Sequence, residues 1–325
     1  MDAIAAALMG HIPIDVRYVD ESLHSGRLIA DRYLLTEPVS EGERTQVWNA
    51  EMVDAADALV SICFFDRAIA EDRALLGCLY TEAHAAAAID SEHVSRILGY
   101  GVDAGLPYVA MEALAGQTLA QYLEARPDRV RARLTPPELL QVVAAVARGL
   151  DAIHAMGAVH RDLSPENIFV CKLRAATVEA APGANSAEPF DVRLRLGVAK
   201  AVNDTLELAR TLQRKKRGGG GAASYMSPEQ ILGKSPLDHR ADLWALGIVA
   251  YESLTGSIPF AGRDLGDQLV SICTRTPLAA SSHCDVPRGF DGWFAHAVSK
   301  EPDERFGTAL EMAAALAEAL DAESR

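Results

Sequence analysis

The sequence of 325 residues contains no uninterrupted apolar run of the length that a membrane-spanning helix needs, which is about 18 residues. Its most apolar stretches lie around residues 139–153 and 244–251, and they are too short or are interrupted by charged side chains. The first residues, Met1 and Asp2, lack the basic character of a secretory signal. We therefore expect no contact with a membrane and a cytoplasmic location.

Cysteine is scarce, and its arrangement argues against two kinds of site. The five cysteines form an odd set without a Cys-x-x-Cys pair: Cys63, Cys78, Cys171, Cys273 and Cys284. This pattern favours reduced thiols over a disulfide framework. Because the spacing also matches none of the usual ligand patterns for structural zinc, no metal site is expected.

Basic residues are also in short supply. The chain has 31 lysines and arginines against 45 aspartates and glutamates, which gives a formal net charge of −14 at pH 7. A protein that binds nucleic acid needs a basic surface, so this balance argues against nucleic acid as a partner. Because 49% of the residues are apolar, a soluble globular protein with a sizeable core is expected.

Residues 1–25 show no clear periodicity and are interpreted as an N-terminal flank. From residue 26 onward, short runs of β-branched and aromatic residues predict five strands. A repeat of apolar residues every three to four positions predicts one helix, at 68–88. The strands are expected at 33–36, 46–50, 59–65, 96–101 and 107–113. Together these elements predict a region of strands with one helix over residues 26–113.

Residues 114–320 have a mainly helical pattern. Helices are expected at 117–124, 136–155, 228–233, 242–255, 265–275, 289–298 and 308–320. Two stretches rich in glycine or other turn-forming residues, 175–189 and 214–221, predict loops. The chain is therefore assigned to the α+β class, with a mixed region followed by a mainly helical one.

The strongest functional pattern is the sequence His-Arg-Asp-Leu-Ser-Pro-Glu-Asn at residues 160–167. Its Asp162 suits holding the proton of an alcohol, and its Asn167 suits coordinating a cation beside phosphate. This stretch resembles the catalytic loop of the eukaryotic-type serine/threonine protein kinases of bacteria. The resemblance extends over about residues 27–320 and implies a two-lobed protein-kinase-like fold. Its small lobe, with five strands and one helix, would span residues 26–113, and its mainly helical large lobe would span residues 114–320.

Three further features of the large lobe match structural elements of the same family. The sequence Ser227-Pro228-Glu229 matches the Ala-Pro-Glu element, and Arg305 matches its distant salt-bridge partner. Asp242 matches the helix residue that, in relatives, holds the backbone of the catalytic loop. The resemblance therefore implies an intact framework for the large lobe.

The chemical groups of the family are less well preserved. Cys63 stands where the family has its phosphate-gripping strand lysine, and Arg195 stands where it has the metal-binding aspartate. A positive charge at the second position should repel Mg²⁺. Of the three glycines expected in the phosphate-covering loop, only Gly42 remains, since Ser40 and Thr45 occupy the other positions.

Two further losses concern the catalytic loop itself. Ser164 replaces the lysine that contacts the transferred phosphate, and Ala222 replaces the threonine that usually bonds that lysine and the catalytic aspartate. Both members of one hydrogen-bonded arrangement are therefore missing.

The resemblance also implies which residues would line a nucleotide site. Glu82 is the surviving helix partner of the lost lysine, and we hypothesise that it pairs with Arg195; alternatively, both side chains reach solvent. Because of the losses, ATP binding is expected to be weak or absent and Mg²⁺ is not expected. The positions that would contact the nucleotide are Gly42, Val47, Cys63, Met111, Glu112 and Arg195.

These observations predict a pseudokinase, that is, a serine/threonine kinase-like protein with impaired catalysis. We expect a signalling scaffold or an allosteric partner, with an active kinase or its substrate as the protein partner. One alternative is an active kinase in which Arg44 substitutes for the lost lysine. The other is a protein that binds nucleotide without transferring phosphate, with Arg195 meeting the phosphates.

In relatives the residue equivalent to Arg161 binds a phosphorylated activation segment. Thr205 and Thr211 lie in that segment and are candidate phosphate acceptors. The basic run 214–217 either meets an acidic partner or is a solvated loop.

Overall fold

A computed structural model of the chain describes residues 19–42, 44–126, 133–172, 190–196, 222–234 and 236–321. The described residues form two compact units. The first comprises the residues up to 80 together with 97–113, and the second comprises 81–96 together with the residues from 114 onward. The chain thus leaves the first unit after residue 80, returns to it at residue 97 and leaves it again after residue 113.

The first unit is built on an antiparallel sheet with the strand order β1-β2-β3-β4-β6-β5. Its strands are β1 (Leu28–Ile29), β2 (Tyr33–Glu41), β3 (Thr45–Met52), β4 (Ala55–Phe65), β5 (Ile97–Asp103) and β6 (Leu106–Glu112). The five predicted strands are all present. Strand β1 adds a sixth, and with two residues it is too short to produce a periodic pattern in the sequence.

Alternate residues of the central strand β4 face an apolar core. Val60, Ile62 and Phe64 are fully buried and cluster with Trp48 of β3 and Tyr108 of β6. Because successive side chains of a strand point to opposite faces of the sheet, the residue between Ile62 and Phe64 points away from this cluster.

Two helices follow β4, where the sequence predicts one. They are α1 (Ala68–Glu71) and α2 (Arg73–Ala87). The interruption occurs at Asp72, whose backbone is extended. Its side-chain oxygen accepts hydrogen bonds from the N–H groups of Ala74 at 2.9 Å and Leu75 at 3.2 Å. Asp72 therefore caps the start of α2 and ends the preceding turn.

The second unit is mainly helical, as the sequence predicts. It contains the antiparallel sheet β7-β8-β9, with β7 (Gly116–Thr118), β8 (Ile168–Lys172) and β9 (Phe190–Leu194). Its helices are α3 (Leu119–Glu124), α4 (Pro136–Ala155), α5 (Pro228–Ile231), α6 (Arg240–Thr255), α7 (Leu265–Thr274), α8 (Phe290–Ala297) and α9 (Ala309–Asp321). Each helix predicted in this part of the chain has a counterpart.

Helix α6 is the centre of the second unit. All but Arg240 and Glu252 of its 16 residues are buried, so it is surrounded by protein on every side. It ends at Gly256, whose φ of 70° lies in the left-handed region that glycine adopts without strain. Among the described residues, none of the helices combines the length and the apolar composition needed to cross a lipid bilayer.

Three helices of the second unit begin with a capping box. In each, a hydroxyl side chain accepts from a backbone N–H three residues later, and the side chain of that later residue binds back to the first. The pairs are Thr118 with Gln121 for α3, Thr135 with Glu138 for α4, and Ser227 with Gln230 for α5.

A buried ion pair joins the start of α5 to a distant segment. Arg305 donates from its two terminal nitrogens to the two carboxylate oxygens of Glu229, at 2.7 and 2.8 Å. Burial raises the pKa of Glu229, but the bonds and the charge of Arg305 outweigh burial, so the pKa lies below its usual value. The pairing expected from the family resemblance is thus confirmed.

We expect Arg305→Leu to lower the free energy of unfolding by about 3–5 kcal/mol, because it leaves a buried carboxylate without its partner. The measurement is urea denaturation at neutral pH. Arg263→Leu is the matched control, since the Arg263 side chain is 92% exposed in its pair with Asp267. That control should change stability by no more than about 0.5 kcal/mol. Equal effects of the two substitutions would contradict this account.

The same pair predicts a pH dependence. Because the pKa of Glu229 is lower in the folded protein than its usual 4.5, the ionised pair stabilises the fold above that pH. The stabilisation is lost as the pH falls through the lowered value. The stability difference between the wild type and Arg305→Leu should therefore shrink on acidification below pH 4.5, as measured by urea denaturation across pH. A difference that stays constant down to acid unfolding would refute this linkage.

Candidate functional site

The 160–167 loop is held in place by one buried carboxylate. Asp242 on α6 accepts hydrogen bonds from the backbone N–H groups of His160 and Arg161 and from Nε2 of His154, each at 2.8 Å. Burial raises the pKa of Asp242, but the bond from His154 and the two nearby histidines outweigh it and keep the pKa below its usual value. A charged Asp242 therefore anchors the loop, as the family resemblance implied.

The backbone of Arg161 adopts an uncommon conformation. Its φ of 63° lies in the left-handed region, which costs a non-glycine residue roughly 1–3 kcal/mol. Its N–H is bound by Asp242, and its carbonyl accepts from Nε2 of Gln230 at 3.0 Å. The other end of the Gln230 amide accepts from the N–H of Ser227 at 3.0 Å. Hydrogen bonds at its N–H and at its carbonyl thus hold Arg161 in this conformation.

Asp162 and Asn167 lie together within the loop. The Nδ2 group of Asn167 donates to the backbone carbonyl of Asp162 at 2.7 Å and to its carboxylate at 3.1 Å. A single turn of 3-10 helix, Pro165–Asn167, produces this proximity, and it begins with a bond from the N–H of Asn167 to the carbonyl of Ser164. The two family positions are therefore in mutual contact, with Asn167 buried.

The remaining polar atom of the Asn167 side chain is bound by Arg195. Nε and Nη2 of Arg195 donate to Oδ1 of Asn167 at 3.2 and 3.0 Å, and Nη2 also donates to the carbonyl of Glu166 at 3.2 Å. The guanidinium carbon lies 5.3 Å from the ring centre of Phe169. A cation that belongs to the chain thus contacts the amide oxygen through which Asn167 would coordinate a metal.

Glu82 on α2 contacts a different arginine from the one expected. Its carboxylate lies 3.9 Å from Nη1 of Arg161, and both side chains are partly exposed. The hypothesised pair of Glu82 with Arg195 is absent from the described contacts. Glu82 contacts Arg161, and Arg195 contacts Asn167. The physical reason is that the guanidinium of Arg195 already donates to Oδ1 of Asn167 and to the carbonyl of Glu166.

In the first unit, Cys63 occupies an apolar row across the sheet. Val47 on β3, Cys63 on β4 and Val109 on β6 are direct partners on adjacent strands. Cys63 is 9% exposed, so the position of the family lysine holds a small buried side chain. Met111 and Glu112 lie further along β6, opposite Ser61 and Val60.

Gly42 has a local structural role in the turn between β2 and β3. Its N–H donates to the carbonyl of Thr45 at 2.7 Å. A Cβ at Gly42 would lie 2.7 Å from Oγ1 of Thr45, so a larger residue would force Thr45 to move. Arg44 in the same turn forms an ion pair with Asp66 at 3.3 Å.

Some expected features fall outside the described residues. They are Thr205, Thr211, the basic run 214–217 and the loop 175–189. Ala222 is described, and it opens the 3-10 turn Ala222–Tyr225.

The contact between Arg195 and Asn167 was missed by reasoning from the sequence. Strands β8 and β9 pair with Ile168 opposite Leu194. Because the two strands are antiparallel, Asn167, which precedes Ile168, then lies next to Arg195, which follows Leu194. The register of these two strands is thus the feature that would have revealed the contact.

Comparisons with known proteins identify the family and the fold of this chain. The family model "Protein kinase domain" matches residues 35–287. The serine/threonine-protein kinase PknE of Mycobacterium tuberculosis is 30% identical over 290 residues, covering 89% of this chain and 46% of PknE. Pkn1 of Myxococcus xanthus is 33% identical over 230 residues, covering 70% of this chain and 30% of Pkn1. The chain therefore spans less than half the length of either relative.

The likeness also holds for solved structures. The PknI kinase domain of Mycobacterium tuberculosis matches with a TM-score of 0.67 at 22% identity, covering 91% of this chain and 98% of that domain. At this identity the likeness supports the fold alone.

We expect Asp242→Asn to loosen the 160–167 loop, because an amide has a single acceptor oxygen and no charge. The free energy of unfolding should fall by roughly 2–4 kcal/mol, and amide hydrogen exchange at His160 and Arg161 should accelerate. Asp303→Asn is the control, since the Asp303 side chain is 93% exposed. Unchanged exchange at His160 and Arg161 in a folded Asp242→Asn protein would contradict the anchoring role.

Proposed function

Since the chain belongs to the bacterial family of eukaryotic-type serine/threonine protein kinases, we propose that it is a catalytically impaired member of that family. In this proposal it acts as a signalling scaffold or an allosteric partner. Its protein partner is an active kinase or the substrate of one. Function resides in the site and not in the fold, so the proposal rests on the residues that surround Asp162.

The observation that carries the proposal is the contact of Arg195 with Asn167. Phosphate transfer by kinases depends on metal ions that neutralise the developing charge. Here the amide oxygen of Asn167 accepts hydrogen bonds from the Arg195 guanidinium at 3.0 and 3.2 Å. A cation beside this oxygen would meet a fixed positive charge instead of the aspartate that the family supplies. The groups that surround the amide oxygen of Asn167 therefore do not fit Mg²⁺.

The buried thiol of Cys63 supports the same conclusion. An apolar row of Val47, Cys63 and Val109 offers no positive charge to phosphates. Removing one preorganised charged group typically costs about 3 kcal/mol of transition-state stabilisation. If the effects of two such losses add, the rate falls by roughly four decades, and non-additivity makes the combined effect smaller.

The alternative of an active kinase has one observation in its favour, because Asp162 and Asn167 are in contact. The substitute proposed for the lost lysine argues against it. Arg44 is held by Asp66 at 3.3 Å, so its charge is already paired within the first unit. Nucleotide binding without transfer is favoured by the guanidinium of Arg195, which could meet a phosphate in the absence of a metal.

The test is thermal unfolding of the purified chain with ATP, in the presence and absence of Mg²⁺. Ligand that binds the folded state raises the melting temperature by mass action. We expect no increase that requires Mg²⁺ and no phosphate transfer to a generic protein substrate. An increase without the metal would favour nucleotide binding alone. Substantial Mg²⁺-dependent transfer that Asp162→Asn abolishes would overturn the proposal.

A gain-of-function variant tests the same residues from the other direction. We expect the double substitution Cys63→Lys with Arg195→Asp to introduce an ATP-induced increase in melting temperature that requires Mg²⁺. Arg195→Asp alone is the matched control and should lack most of this increase, because the lysine is still missing. A double variant that folds and responds no more than the wild type would show that these two positions are not the cause of the impairment.

A further inference from the structure

Lys300 lies against two aromatic rings of the second unit and has no part in the proposed function. It follows α8 and is partly exposed. Its Nζ lies 4.1 Å from the ring centre of Phe260 and 5.0 Å from that of Trp244. The two rings are stacked, with an angle of 10° between their planes. The amine thus faces apolar ring surfaces on this side instead of water.

A single carbonyl is the hydrogen-bond partner of this amine among the described residues. Nζ of Lys300 donates to the backbone carbonyl of Ile272 on α7 at 2.6 Å, and no described carboxylate lies within ion-pair distance of it. A lysine ammonium has three N–H donors and no acceptor. The protein therefore provides an acceptor for one N–H of Lys300, which is the number that an amide nitrogen carries.

A second cation contacts the same indole. The guanidinium carbon of Arg305 lies 5.1 Å from the ring centre of Trp244. The ring attracts cations, but it divides this attraction between two like charges that repel each other. Both carboxylate oxygens of Glu229 accept hydrogen bonds from Arg305, so this carboxylate is already engaged. Loss of a proton from Lys300 would remove the repulsion without breaking the buried ion pair.

Burial favours the neutral form of Lys300. It lowers the pKa of Lys300 to about 8, while Cys273 opposes this shift and Arg305 adds to it. Burial also raises the pKa of Cys273, which adjoins Ile272, so its thiol is uncharged at neutral pH. Roughly a tenth of Lys300 is therefore a neutral amine at pH 7, and the neutral amine is the nucleophilic form.

We propose that Lys300 is a site of acylation by an activated acyl donor, that is, an acyl phosphate or an acyl thioester. The amine nitrogen attacks the carbonyl carbon of the donor, and a C–N bond forms. The C–O bond to phosphate or the C–S bond to the thiol breaks, and the leaving group takes up the proton that the nitrogen releases. The amide product is neutral and keeps one N–H for the carbonyl of Ile272. Acylation thus removes one of the two cations at Trp244 and preserves the hydrogen bond to α7.

The test exposes the full chain to acetyl phosphate in one arm and to acetyl-CoA in the other, and peptide mass spectrometry measures the rate of acetylation at each lysine. Lys234 is the internal comparison, because it is exposed, and exposure alone would make it react first. At about pH 7.5 we expect Lys300 to be acetylated at least about tenfold faster than Lys234 in one arm or both, and the reactive arm identifies the donor. Acetylation of Lys300 that is no faster than that of Lys234 in both arms would overturn the proposal.

The pH dependence of the two rates separates activation of the amine from its accessibility. An ordinary lysine reacts faster at each step up to about pH 10, whereas acetylation of Lys300 should level off above about pH 8. The ratio of the Lys300 rate to the Lys234 rate should therefore fall roughly thirtyfold between about pH 8 and about pH 10.

The chain unfolded in guanidinium chloride is the matched control, since it keeps both lysines and loses the site. There the ratio should be close to one at every pH, while circular dichroism verifies that the native sample stays folded. A ratio in the folded protein that does not change with pH would show that the amine is not activated, and the proposal would fall.

Discussion

The arrangement of the candidate site depends on one carboxylate inside the protein. Asp242 is charged although it lies on a helix that is buried on all sides, and its charge is balanced by donors from His154, His160 and Arg161. Two of those donors are backbone N–H groups, so the helix fixes the course of the chain itself. Without this anchor, the left-handed backbone at Arg161 would have fewer contacts to offset its strain, and Asp162 would lose its defined position.

The site also illustrates how a cation of the chain differs from a metal ion. The guanidinium of Arg195 donates to the side-chain oxygen of Asn167, and the backbone N–H of Arg195 donates to the Asn167 carbonyl. It offers a fixed planar set of donors, whereas a metal ion exchanges its ligands and bridges phosphate oxygens. We propose that the arginine at this one position changes the kind of ligand that the loop accepts, while the framework around the loop stays that of the family.

Much of the fold could be predicted from the sequence because strands and helices leave periodic patterns in adjacent residues. The roles of Asp242 and of the pair Glu229–Arg305 followed from short motifs. The partner of Arg195 could not be predicted in this way, since it depends on the register of two strands separated by many residues. The partner of Glu82 depends on how two long side chains extend from different elements. The break in the helix at Asp72 was missed because a capping side chain competes with an otherwise helical pattern.

Gln230 connects two segments with a single amide group. Its oxygen accepts from the backbone of Ser227 at the first turn of α5, and its nitrogen donates to the carbonyl of Arg161. The two ends of the amide are not interchangeable, because one faces a donor and the other an acceptor. A force that shifts the start of α5 must therefore either break a bond in the 160–167 loop or drag the loop along. Movement of α5 is therefore coupled to movement of the 160–167 loop.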